Sequence, residues 1–360
     1  MLPISADVKR ATILLAAVPS GFFGVLFGLR YGVKSQQAGS TLIASSVFSA
    51  VTRSCRGAYT SQLMRRPVAI LCSGQGAQHS GMFDLCADLL ASEAVFVAAG
   101  EALGQDPRRF VHEAAPEALF TDRAGQILCC TQALAIWAGL DTGRPARAVI
   151  AGYSVGELAR SDWYSAGLPL WMLSRPRTLA GIIGLTPGIL EPIVIHHDAS
   201  IAIINGTRSF VIGGHSRALD ACCEEAVASG ATRAVRIRVS VPSHTKMLRD
   251  AVAPFSAVLN EAAPQEPEAR YRLLSGIDGD IVQNIESACD KLSRQICTTV
   301  DWAACLESCR EAEAELVLEL GPETALSHMA ASLFPDGRVR STDEFRTMSG
   351  LRTWLSKVND

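Results

Sequence analysis

A chain of 360 residues, 48% hydrophobic and 19% charged, carries enough apolar material for a large core and has room for two or three compact units. That composition excludes a disordered chain and a collagen-like one. A formal net charge of −3 argues against a protein that holds nucleic acid by bulk charge, because neutralising phosphates takes clustered Lys and Arg.

The first element is Ala11 to Leu29 (ATILLAAVPSGFFGVLFGL), nineteen residues without a charge, preceded by Lys9 and Arg10 and followed by Arg30. A span of about 20 apolar residues can cross a bilayer. Pro19, Gly21, Gly24 and Gly28 interrupt it, as membrane helices tolerate. A signal peptide is the alternative, but no clean small-residue cleavage site follows. A weaker apolar stretch runs from Ala38 to Val51. The words LLAAVPSGFFGVLFGLRYGV and AGSTLIASSVFSAVT resemble the end of an auxin-efflux-carrier-type permease, the family that includes malonate transporters. Residues 1–65 therefore read as an apolar helical extension and linker, with membrane contact expected through residues 11–29. The rest of the chain is expected in the cytoplasm. The eleven cysteines of the full chain are odd in number, form no CxxC pair and read as buried free thiols of a reducing compartment. Cys305 and Cys309 have no nearby His, and no metal site is predicted.

Val68 to Cys72 is a short apolar run of the kind that makes a buried parallel strand, and it ends in Ser73-Gly74-Gln75-Gly76-Ala77-Gln78. Residues 80–140 read as helical hairpins through Leu85, Leu89 and Leu90, then Ala118 to Phe120, then Leu128 to Trp137. Gln132 lies in the last of these, where a buried amide needs a partner. Arg147 to Ala151 is the next strand. It runs into Gly152-Tyr153-Ser154-Val155-Gly156-Glu157, a G-x-S-x-G placed directly after a strand and before a helix. In that setting the serine sits on a sharp elbow with its hydroxyl exposed, and the helix amides face the place where an oxyanion would form. A serine hydroxyl is a poor nucleophile until a base takes its proton. Among seven histidines, His244 in Val241-Pro242-Ser243-His244-Thr245 stands at the end of a strand-like run, where Pro242 would start a helix at Ser243. Spacing alone leaves its rivals open.

Between the elbow and His244 lie strands at Ala180 to Leu185, Ile201 to Asn205, Phe210 to Gly213 and Thr232 to Val241, with helices at Pro187 to Ile193 and Ser216 to Ser229. Asn205-Gly206 is a hairpin signal. The order βαββαβ is ferredoxin-like. The predicted fold is thus α/β: an α/β-hydrolase-like large domain with a parallel sheet (66–178 and 242–360) and an inserted ferredoxin-like small domain (179–241).

GQGAQ, GYSVGE and PSHT, in this order and at these separations, resemble the malonyl-CoA:acyl-carrier-protein transacylases over roughly residues 67–345. Tyr153, where that family usually has His, resembles the malonate decarboxylase epsilon-subunit branch. The resemblance implies malonyl transfer from malonyl-CoA to the prosthetic-group thiol of an acyl carrier protein through a malonyl-serine, in malonate decarboxylation, on a carrier arm of the phosphoribosyl-dephospho-CoA kind. It implies Ser154 as nucleophile, His244 as general base, Gln75 and the Val155 N–H as oxyanion hole, and Gln132 in the acyl pocket. It implies Asp301, in Thr299-Val300-Asp301-Trp302, at the position whose backbone carbonyl orients the histidine. No bound cofactor is implied, only a CoA thioester as substrate. The family carries an Arg after the nucleophile that pairs the malonyl carboxylate, as a bidentate guanidinium can. Here Ala159 to Leu179 is short and holds Pro169 and Pro176, leaving Arg177 and Arg175 as candidates. The competing readings are an α/β-type serine hydrolase with His328 as base, and a catalytically impaired copy serving as a complex subunit.

Overall fold

The computed structural model describes residues 66–159, 177–239, 241–262, 264, 266–335 and 337–359. The expected membrane segment at 11–29 and Arg175 lie outside the described residues, as does the side chain of Arg177. Arg66–Asp360 forms one compact unit. It contains two five-stranded sheets, whose strands and helices are numbered in chain order.

The first sheet is wholly parallel, in the order β10-β9-β1-β2-β7. Its strands are β1 (Val68–Cys72), β2 (Ala148–Gly152), β7 (Tyr271–Leu273), β9 (Leu316–Leu320) and β10 (Val339–Ser341). The three central strands read VAILC, AVIAG and LVLEL and are buried at every position, as continuous apolar runs covered on both faces should be. Alternate residues feed two cores. Val68, Ile70 and Ile150 point to one containing Leu128 and Ile136; Ala69, Leu71 and Val149 point to another containing Trp302 and, from the second sheet, Leu179, Ile203 and Val211.

The second sheet runs β6-β3-β5-β4-β8. Strands β3 (Arg177–Ile183), β4 (Ser200–Gly206), β5 (Ser209–His215) and β6 (Arg233–Ile237) are antiparallel neighbours, and β8 (Val300–Asp301) joins parallel to β4. Three sequence expectations shift here. The first strand starts at Arg177, before residue 179, so Arg177 is a β3 residue whose backbone pairs with His215. Asn205-Gly206 ends β4, and Thr207 and Arg208 make the turn. Pro242 starts no helix: Ser243 and His244 lie in a turn, and the next helical residue is Lys246.

Helices α1 (Glu93–Leu103), α2 (Pro107–Glu113) and α3 (Asp122–Leu140) connect β1 to β2. The expected hairpin at Leu85 to Leu90 is replaced by turns, with Leu90 exposed, and Ala118 to Phe120 is a short 3-10 turn. Helix α3 is buried along most of its length. Its small residues Gly125, Cys129 and Cys130 let loops approach it: the Cys129 thiol donates to the Gly74 carbonyl at 3.4 Å and the Cys130 thiol to the Val155 carbonyl at 3.7 Å. Helix α4 opens at Gly156 and is described as far as Ala159. The second sheet carries α5 (Pro187–His196) and α6 (Ser216–Ala228). Then follow α7 (Val252–Glu261), α8 (Ile285–Gln295), α9 (Trp302–Glu311), α10 (Ala325–Ala330) and α11 (Met348–Leu355). Among the described residues no helix is long and apolar enough to cross a membrane. The ten described cysteines are all free, eight of them buried.

Candidate active site

The elbow is a steric construction. A Cβ on Gly156 would run into the Cys72 carbonyl oxygen at the end of β1, and one on Gly152 would run into the backbone of Glu157. With no side chain at either position, the chain leaves β2 and turns directly into α4. Ser154, between them, is held at φ 57, a left-handed conformation unusual for a non-glycine residue.

That turn presents Ser154 Oγ to His244 Nε2 at 2.7 Å, bridging ninety positions of sequence. His244 is itself at φ 64 and only 3% exposed. Two carbonyls from the C-terminal end of α8 hold it. Nδ1 lies 2.7 Å from the Gln295 carbonyl oxygen, and the His244 backbone N–H donates to the Ile296 carbonyl at 2.8 Å. A carbonyl oxygen only accepts, so Nδ1 carries the proton and Nε2 offers its lone pair to the serine hydroxyl. Burial lowers the His244 pKa to about 4, opposed in part by the Gln295 hydrogen bond, so at neutral pH the imidazole is an uncharged acceptor.

The orienting carbonyl is therefore Gln295's, and the assignment of that place to Asp301 is corrected. Asp301 is the N-cap of α9: its side chain accepts from the Ala304 N–H at 2.9 Å, and its own N–H donates to the Gly276 carbonyl. A carboxylate one residue before an apolar helix start is the ordinary signature of a cap, and that signal was present in Asp301-Trp302-Ala303-Ala304. Gln295 had no comparable signal, because the group used is a backbone carbonyl at a helix end. His328, the base of the competing hydrolase reading, is exposed, with its Nδ1 3.4 Å from Thr324 Oγ1.

The loop after β1 lies against the elbow. A Cβ on Gly74 would come within 2.9 Å of the Tyr153 carbonyl oxygen and 3.7 Å of Ser154 Cβ. Gln78 staples this loop, accepting from the Gly76 N–H at 2.5 Å and donating to the Leu119 carbonyl at 3.0 Å. Gln75 sits on it half-buried, with its Nε2 3.5 Å from Asp122 and its buried Oε1 without a protein partner. Val155 follows Ser154 directly and packs on the core beside α3. Gln132 is fully buried and donates to Asp343 Oδ1 at 2.9 Å, while its Oε1 has no protein partner. Tyr153 is half-buried with its ring edge-on to Trp302 at 5.2 Å, and desolvation pushes its phenol up to about 12. The structure thus brings together Ser154, His244 and the Gln75 loop, and it turns Asp301 to another task.

No protein-family model matches the chain. It is 26% identical over 282 residues to the malonyl CoA-acyl carrier protein transacylase of Escherichia coli (strain K12), covering 72% of this chain and 90% of that protein. It also shares its fold with a malonyl-transacylase solved in complex with a type II PKS acyl-carrier protein. That match has a TM-score of 0.72 and 24% identity, over 81% of this chain and 99% of that one. The malonyl-CoA:acyl carrier protein transacylase of Helicobacter pylori superposes with a TM-score of 0.72 at 20% identity, over 82% and 99%. By these likenesses the chain is an enzyme, and its class is acyltransferase. The Bacillus subtilis relative of the same description is 22% identical, and the solved neighbours share the fold.

Proposed function

We propose that this chain moves a malonyl group from malonyl-CoA to the thiol of an acyl carrier protein by way of a malonyl ester on Ser154. The observation that carries the reading is the hydrogen bond of 2.7 Å from Ser154 Oγ to an imidazole held in the base tautomer by the Gln295 carbonyl. As Oγ attacks the thioester carbonyl, its proton passes to His244 Nε2. The new imidazolium faces carbonyls at the C-terminal, negative end of α8, an eleven-residue helix. A helix terminus favours a cation by about 0.3–2 kcal/mol, which does part of the work of a third, acidic member. The oxyanion is received by the backbone around Gln75 and Val155, where removal of one donor from such a hole costs about 3 kcal/mol of barrier. His244 returns the proton to the departing CoA sulfur, then takes the proton of the entering carrier thiol and hands it to Ser154 Oγ as the malonyl–serine ester bond breaks. In this reading Gln132 lines the acyl pocket and Arg177 or Arg175 receives the malonyl carboxylate.

Tyr153 in place of histidine supports the malonate decarboxylase branch, in which the carrier thiol ends a phosphoribosyl-dephospho-CoA arm. The permease-like residues before Arg66 agree with that branch, and with it comes the reading of residues 11–29 as a membrane contact. Intact-mass measurement after exposure to malonyl-CoA tests the activity. Expected is a stable gain of one malonyl group in the wild type, none in Ser154→Ala, and discharge only when a carrier thiol is added. Rapid release of free malonate instead would make the chain a hydrolase, and no gain at all would make it an impaired copy.

A further inference from the structure

Glu157, the last residue of GYSVGE, is used by nothing described so far, yet it is buried to 1% exposure. A carboxylate in such a place is costly unless it is well bonded. Its Oε2 accepts from the Gly276 N–H at 3.1 Å and from the Gln295 side-chain amide. Gly276 lacks the side chain that would fill this space: a Cβ there would lie 2.7 Å from both Glu157 Oε2 and Gln295 Nε2. One carboxylate oxygen therefore joins three segments that are far apart in sequence, namely the elbow helix α4, the loop after β7, and the last residue of α8. Gln295 is the residue whose carbonyl oxygen stands 2.7 Å from His244 Nδ1.

We infer that Glu157 is a positioning residue, which grips the Gln295 side chain and thereby fixes the α8 carbonyl that aims His244 at the serine three positions before Glu157 itself. The nucleophile and the base's support are then tied to one short helix, so a shift of α8 relative to the elbow is opposed by the same residue that sits behind the nucleophile. This rests on the reading of Ser154 and His244 as a working pair, but not on the identity of the acyl group.

The test uses a fluorophosphonate, which forms a Ser154 Oγ–P bond, expels fluoride and hands the serine proton to His244, whatever the natural acyl donor is. The second-order labelling rate is measured on the full chain for wild type, Glu157→Ala, Gln295→Leu and the double variant, with near-UV circular dichroism as the fold control. An angström of misplacement at such a site costs up to about 100-fold, so each single variant should lose roughly 30- to 100-fold. Because both act through one contact, the double variant should be within about threefold of either single; independent losses would multiply to about a thousandfold or more. Glu157→Gln, which keeps an acceptor oxygen, should recover labelling to within about threefold of wild type. If Glu157→Ala does not fold, Gln295→Glu supplies the check: two facing carboxylates should slow labelling, and Glu157→Gln added to it should restore the rate. Multiplying losses, or a drop in melting temperature with an unchanged labelling rate, would overturn the inference. Labelling without malonyl uptake would sink the substrate reading and leave this one standing.

Discussion

At the scale of single residues, the elbow is specified by what is missing. Gly156 has no room for even a methyl group against the Cys72 carbonyl, and the obstacle is backbone, which cannot rotate away. Gly156→Ala is expected to destabilise the protein by about 3 kcal/mol or more, since overpacking that displaces main chain lies at the upper end of such costs. Urea unfolding followed by tryptophan fluorescence measures it, and a loss under about 1 kcal/mol would mean that the turn is looser than described. Such local demands are why Ser154 was legible: glycine, serine and glycine at fixed spacing after an apolar strand report a shape that few other sequences need. His244 was legible only as one histidine among seven, and its selection came from a resemblance, because its partner lies ninety positions away and no local pattern records that distance. Gln295 was not legible at all. Its role is played by a carbonyl that every residue possesses, and only the end of α8 makes it special.

At the scale of elements, the misplacement of Asp301 has a physical cause. The resemblance placed Asp301 by its backbone carbonyl, but the carbonyl on His244 Nδ1 is Gln295's, and an aspartate one position before a helix start is a cap. The helix wins, because the first turn of α9 has amides that need acceptors and the carboxylate is already beside one of them. Asp301→Ala should therefore cost about 1 kcal/mol of stability, as lost caps do, and leave the labelling rate of Ser154 within about twofold of wild type. A large loss of labelling without a loss of stability would return Asp301 to the catalytic apparatus. The apolar runs of β1, β2 and β9 were readable because a parallel sheet covered on both faces needs unbroken hydrophobic strands. The Asn205-Gly206 hairpin was displaced because β4 pairs with β5 through irregular register and keeps both residues in the strand, leaving the turn to Thr207 and Arg208.

At the scale of the whole molecule, the buried base links catalysis to stability. His244 titrates near 4 in the folded chain, where burial disfavours its charge, against an ordinary value of 6.5. The unfolded chain therefore takes up a proton that the native state refuses. This contribution is absent above pH 6.5, erodes stability as pH falls towards 4, and is constant below. The shift corresponds to about 3 kcal/mol, most of it spent between pH 7 and pH 4.5. His79 runs the other way. Its hydrogen bond to Asp343 raises its pKa, so its contribution is complete below pH 6.5 and fades only as pH rises through the raised value. Such terms are common to wild type and His244→Gln, which keeps a polar side chain in the same place, and they cancel in the comparison. Urea unfolding at pH 7 and at pH 4.5 should then show the wild type losing about 2–3 kcal/mol more than His244→Gln. Acyl uptake by the wild type should meanwhile stay nearly level from pH 7 to about 5, since the imidazole is uncharged throughout that range. Parallel unfolding losses in the two proteins would mean that water reaches the imidazole in the native state, and with it the protons that would silence the base.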